Sequence, residues 1–170
     1  MFLYAKLMRK IRIKLLFLVI AIALSSCGFK LKGSYEIPYQ TLYLQAAGES
    51  RVGRIIRRKI QRKSNIEIVQ TLSAAEATIN ILEEVSTRAV AVLSNVGSVD
   101  EYELIYTVRY RVGPGQNSSN MTEGQIVLRR KITHSDLDIA AKSNEEDALI
   151  NDMASEAATG ILVRLSRTKI

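Results

Sequence analysis

Apolar positions recur at two spacings along this chain, and the change from one to the other marks out its elements. Tyr102, Leu104, Tyr106, Val108, Tyr110 and Val112 alternate with Glu103, Thr107, Arg109 and Arg111, with Ile105 the one intruder. Period two with one apolar side predicts a strand over 102–112 in a sheet covered on one face. Strands are also predicted over 40–45, 65–69, 78–93 and 125–133. On the strand over 78–93, Ile79, Ile81, Val85, Ala89 and Ala91 are expected to share a face. Asn95, Gly97 and Asp100 supply the turn chemistry of a hairpin. A polar loop is expected over 113–124.

Period 3.6 appears twice. Val52, Ile55, Ile56 and Ile60 fall at i, i+3, i+4 and i+8, which predicts a helix over 51–63 with Ser50 as its N-cap. Leu149, Met153, Ala157, Ile161 and Leu165 form a second stripe, broadened by Ile150, Ala154 and Leu162. Ser143 with Glu146 reads as a capping box, with acids in the first turn where the helix dipole favours them. Gly160, inside this helix, suggests close packing. Two amphipathic helices and a one-sided sheet of at least four strands make an α/β two-layer sandwich.

The first 26 residues stand apart. Lys6, Arg9, Lys10, Arg12 and Lys14 precede an apolar run of ten residues, Leu15 to Leu24, which ends at Leu24-Ser25-Ser26-Cys27. A basic stretch, a short apolar stretch and a small-residue site are the layout of a secretory signal. The run is too short to cross a bilayer, which takes about 20 apolar residues. Leu-Ser-Ser-Cys resembles a lipobox, in which the cysteine is acylated and becomes the first mature residue. That also accounts for a single cysteine in an exported chain. Gly28, where aspartate is absent, favours sorting to the outer membrane. The expected division is a signal peptide over 1–26, an extended lipidated linker over 27–38 and one α/β domain over 39–168.

Processing changes the charge argument. The whole chain has 24 basic and 17 acidic residues, and five of the basic ones lie in the leader. The mature part keeps 19 against 17, a net +2, so the hint of nucleic acid largely disappears. One cysteine allows no disulfide framework. His134, the only histidine, stands beside Asp136 without a nucleophile elbow, and one histidine with one acylated cysteine cannot build a zinc site. Glu83 and Glu84 are neighbours on a strand and point to opposite faces. No phosphate-binding glycine motif is present. The sequence therefore favours binding over catalysis, with no cofactor and no metal. Asn117-Ser118-Ser119 matches a glycosylation acceptor, which has no expected use in a bacterial lipoprotein.

Two basic sets are candidates for binding anions. The helix over 51–63 holds seven Lys or Arg, among them Arg51, Arg54, Arg57 and Arg58. It reads either as a solvated face or as an anion-facing surface, since guanidinium groups hold phosphate bidentately. Arg109 and Arg111 with Arg129, Arg130 and Lys131 form the second set. Arg109, Arg111, Arg129 and Lys131 are expected on the face away from the tyrosines. The tyrosine row itself reads as helix-facing core, or else as a surface for carbohydrate or a partner.

Cys27-Gly28-Phe29-Lys30-Leu31-Lys32-Gly33, with Pro38 five residues on, resembles the opening of the LptE family of lipopolysaccharide-assembly lipoproteins. The order of elements is similar across nearly the whole mature chain. The resemblance implies a mixed four-stranded sheet, or one slightly larger, with two helices on one face. It also implies an outer-membrane lipoprotein that plugs the lumen of an LptD-type β-barrel as a heterodimer. That pair places lipopolysaccharide in the outer leaflet, and the lipoprotein is thought to bind lipopolysaccharide itself. Family glycolipid binding is associated with basic residues near the turn after the first long strand and before the last helix. Lys142 matches the second position. Ser94 stands at the first, where a basic residue is expected, and Arg88 six residues earlier is the candidate replacement. The rival reading is a lipoprotein that carries or senses another anionic lipid without a barrel partner.

Overall fold

A computed structural model describes residues 14, 36–62, 65–115, 121–133 and 139–168. Cys27, the linker up to residue 35, Asn117, Ser118, Ser119 and His134 lie outside the described residues. The chain divides into two units, Met1–Ser34 and Tyr35–Ile170, and the second contains every strand and both helices of the sandwich.

Its elements are strand β1 (Thr41–Gln45), helix α1 (Arg51–Gln61), strand β2 (Glu67–Val69), a 3-10 turn (Leu72–Ala74), strands β3 (Ala77–Leu93), β4 (Val99–Pro114) and β5 (Thr122–Thr133), and helix α2 (Ile139–Ser166). The sheet has five strands in the order β2-β1-β3-β4-β5. β1 runs parallel to β2 and β3, while β3–β4 and β4–β5 are antiparallel. Both helices pack on one face, as a two-layer α/β sandwich.

The core lies between these layers. Leu104, Tyr106, Val108, Tyr110 and Val112 of β4 meet Val52, Ile56 and Ile60 of α1, and Met153, Ala157, Ile161 and Leu165 of α2. The tyrosine row is therefore core, with Tyr106 only 1% exposed. Gly160 is a close approach, because a Cβ there would sit 3.1 Å from Ile126 Cδ1.

Three expectations needed correction. On β3 the pairing slips between Ile81 and Glu83, a bulge at Leu82. One extra residue reverses the alternation beyond it. Ile79 and Ile81 face the helices as expected, but Glu84, Ser86 and Arg88 continue that face, opposite Val108, Tyr106 and Leu104. Val85 and Ala89 turn to the uncovered side. The second correction concerns α2, which begins at Ile139 and places Ser143 inside the helix. Glu145, Glu146 and Asp147 serve side-chain partners, Lys142, Arg88 and Arg51 in turn. Third, β4 and β5 each extend into the expected loop, pairing Val112 with Thr122.

β1 pairs with β3 only as far as Gln45 opposite Asn80. Past Asn80, that edge of β3 has no neighbouring strand among the described residues.

Candidate functional site

Four cations expected on the uncovered face do share it. On β4–β5, Arg109 is opposite Gln125, Arg111 opposite Glu123, Ile105 opposite Arg129 and Glu103 opposite Lys131. None of them is a bare charge. Arg109 donates to Glu83 at 3.2 Å and to Glu123 at 3.3 Å, and Arg111 to Glu123 at 3.0 Å. Arg129 reaches Glu103 at 2.7 Å and Lys131 reaches Glu101 at 3.2 Å. Hydrogen bonds from Arg111 and Arg109 hold the Glu123 carboxyl below its usual range, and Glu123, then Glu83, raises the Arg109 guanidinium. The face is a ladder of alternating charge, so an anion binding there has to displace a carboxylate.

Arg130, the neighbour of two of these cations, points the other way and bonds Glu156 of α2 at 2.7 Å. Arg88 does likewise, reaching Glu146 at 2.7 Å with its guanidinium 5.1 Å from the Tyr102 ring centroid. Lys142, one turn before Glu146, bonds Glu145 at 2.8 Å. Arg88 and Lys142 thus lie at the end of the molecule that carries the β3–β4 hairpin. Ser94 closes that hairpin, bonding Ser98 through both backbone and side chain. The bulge at Leu82 is what brings Arg88 to the helix side.

The sequence reading missed Glu84. Its carboxylate accepts from Ser50 Oγ at 2.6 Å, from the Arg51 amide at 3.0 Å, from the Val52 amide at 3.4 Å and from the Tyr106 hydroxyl. Ser50 in turn caps α1 by accepting from the Gly53 amide at 2.8 Å. α1 has no acid in its first turn, and Glu84 supplies that charge from another element, where the helix dipole favours it. Burial first, and the Glu84 hydrogen bond second, push the Tyr106 hydroxyl well above its ordinary value. Ile81, Leu82, Glu84, Ser50 and Ile150 line a cleft of about 340 Å³ beside this carboxylate. The signal in the sequence is the break in alternation at Ile81-Leu82-Glu83-Glu84.

On α1, Arg51 is bound to Asp147 at 3.0 Å and to Asn151, and Arg54 approaches Glu49 at 3.9 Å. Arg57 and Arg58 are exposed and have no acidic partner among the described residues. Those residues include no cluster of His, Cys, Asp and Glu placed to hold a metal ion. They also include no helix long and apolar enough to cross a membrane.

A one-sided sheet under two helices, its polar groups spread over faces and ends, defines a domain of the two-layer α/β sandwich class. Residues 39–165 match the LptE family, described as lipopolysaccharide-assembly, and the chain belongs to that family. It is 25% identical over 161 residues to LPS-assembly lipoprotein LptE of Pectobacterium atrosepticum, covering 91% of this chain and 86% of that one. Among solved structures, rare lipoprotein B from Shewanella oneidensis superposes with a TM-score of 0.65 at 26% identity, covering 74% of this chain and 93% of that one. Lipoprotein B from Nitrosomonas europaea gives 0.69 at 30% identity, with 82% and 90% covered.

Proposed function

We propose that this protein is the lipoprotein subunit of an outer-membrane lipopolysaccharide translocon, anchored through acylated Cys27 at the periplasmic leaflet. The family match over 39–165 carries this reading. In it, the domain fills the lumen of an LptD-type barrel, helps that barrel assemble and meets lipopolysaccharide phosphates with cationic side chains. Arg88 and Lys142 are the candidates at the hairpin end. Arg109, Arg111, Arg129 and Lys131 are candidates on the uncovered face, where each would exchange a carboxylate for a phosphate. A rigid core and a charge-balanced face suit a part that works by occupying a wet interior.

The test is detergent extraction followed by co-purification. A stable one-to-one complex with a large barrel is expected, carrying lipopolysaccharide that diminishes when Arg88 and Lys142 are both changed to Ser. A solitary monomer would sink the plug reading in favour of a carrier. Mass spectrometry of the native amino terminus tests the anchor separately.

A further inference from the structure

The described cations of the sheet and those of α1 differ in their partners. Those of the sheet each hold a carboxylate. Along α1, Arg57, Arg58, Lys59 and Arg62 have none among the described residues. Arg54, Arg58 and Arg62 also stand at i, i+4 and i+8, where like charges repel one another. Compensation of the helix dipole accounts for cations in the last turn, where Arg58 and Lys59 lie. It does not account for a basic row that begins about two turns before the helix ends, at Arg54.

Arg58, Lys59 and Arg62 line an open groove of about 550 Å³ with Ile55 of α1 and Asn151 and Ser155 of α2. Three cations, two neutral polar side chains and one aliphatic surface converge there. Guanidinium groups match phosphate oxygens bidentately, an ammonium adds a point charge, and amide and hydroxyl groups supply further donors.

Position decides which phosphate. α1 ends at Gln61 and the chain returns into β2, where the Glu67 amide donates to the Gln40 carbonyl at 2.8 Å. Tyr39 donates to the Thr168 carbonyl at 2.9 Å, just past the end of α2. The segment leading in from Cys27 therefore joins the domain at the end where both helices finish. Arg164 lies in the last turn of α2 and Arg167 just past it. Cys27 precedes Tyr39 by twelve residues, at most about 40 Å of extended chain. Lys142 lies 26 residues up α2 from Thr168, about 39 Å away along the axis.

We propose that the α1–α2 groove, toward the end of the domain that the anchored segment joins and that would stand at the periplasmic mouth of the barrel, contacts phosphate-bearing headgroups of anionic phospholipid in the leaflet that holds the anchor. This rests on the reading of Cys27 as an acylated anchor. A tether keeps the groove at high local concentration beside the bilayer, so individually weak charge contacts become effective. An acyl anchor together with a basic patch is a two-signal attachment. The acyl group sets location, and the groove sets which side of the domain faces the lipid.

The test uses the natively lipidated chain carrying Gln61→Cys, labelled with a fluorophore. It is reconstituted into vesicles of phosphatidylcholine alone or with phosphatidylglycerol, each containing a headgroup-quenching lipid. Quenching is expected to be at least about fivefold greater with phosphatidylglycerol, the effect of one near-surface cation. It should fall back in the variant Arg58→Gln, Lys59→Gln, Arg62→Gln and on adding salt, while Arg130→Gln, which removes a cation held by Glu156, leaves it in place. Equal quenching in both vesicles overturns the proposal, as does a charge-removed variant that is quenched like the parent. Inorganic phosphate that abolishes quenching where chloride of equal ionic strength does not assigns the groove to a soluble anion and also overturns it. So does loss of the barrel partner from the charge-removed variant with lipid quenching unchanged, which assigns the groove to a protein. Intact mass of the same preparation separates the readings, since an unacylated Cys27 defeats the anchor and charge-indifferent quenching of an acylated chain defeats only the groove.

Discussion

Arg88 of β3 holds Glu146 of α2 at 2.7 Å, and the pair ties the far end of the helix to the sheet. Removing either side releases the other, with opposite effects on an anion. Arg88→Ala should lower the lipopolysaccharide that co-purifies, whereas Glu146→Gln leaves the guanidinium available and should raise it. Both variants should lose roughly 1 kcal/mol or less of stability, as half-exposed pairs do. Quantifying bound glycolipid in the two variants checks this, and a fall in both would make the pair structural.

Glu84→Ala removes the acceptor shared by Ser50, two helix amides and Tyr106. Hydrogen bonds to a charged group are worth about 1.5–3 kcal/mol, and orphaned buried donors add to the loss. A cost of about 3 kcal/mol is expected in urea unfolding. Glu84→Gln keeps an acceptor and should lose about half as much.

Tyr106 makes stability depend on alkaline pH. Its folded value is raised from 10.0, so the unfolded chain ionises first. The contribution is fully present below about pH 10 and is lost as pH climbs toward the folded value. Stability should fall with pH above 10 more steeply than in Tyr106→Phe, which itself should cost about 1 kcal/mol at neutral pH. Unfolding at stepped pH values, with the tyrosine difference spectrum, measures both.

Two helical glycines should answer differently to alanine. At Gly53 a Cβ would lie 2.7 Å from Ala46 Cβ, which has no rotamer to move. That overlap should outweigh the gain of about 1 kcal/mol in helix propensity and leave a net loss of about 1–2 kcal/mol. At Gly160 the neighbour is the end of Ile126, which can give way, so Gly160→Ala should be near neutral. Thermal melts of the two variants decide it.

The sequence was most legible where one period ran unbroken. α1 and β4 followed from spacing alone, and the cations of the uncovered face followed from their parity on β4 and β5. Legibility failed on β3 because parity carries no memory of a bulge. From Glu84 to Val90 the side chains change sides, until the pairing slips again at Ala91, so Arg88 became a helix partner and Val85 an outward residue. It failed at the start of α2 because a capping-box pattern is local, while Glu145 and Glu146 are committed to cations on their own helix and on the sheet. Glu84 escaped notice because its partners are more than twenty residues away in the chain.

Beyond Asn80 the rim of β3 presents backbone groups with no strand beside it among the described residues, an invitation to any passing copy. The kink at Leu82 spoils the straight geometry that zippering needs, and Glu83, Glu84 and Arg88 seed the rim with charge. The irregularity that defeats simple pattern reading thus also makes this open rim a poor template for another strand.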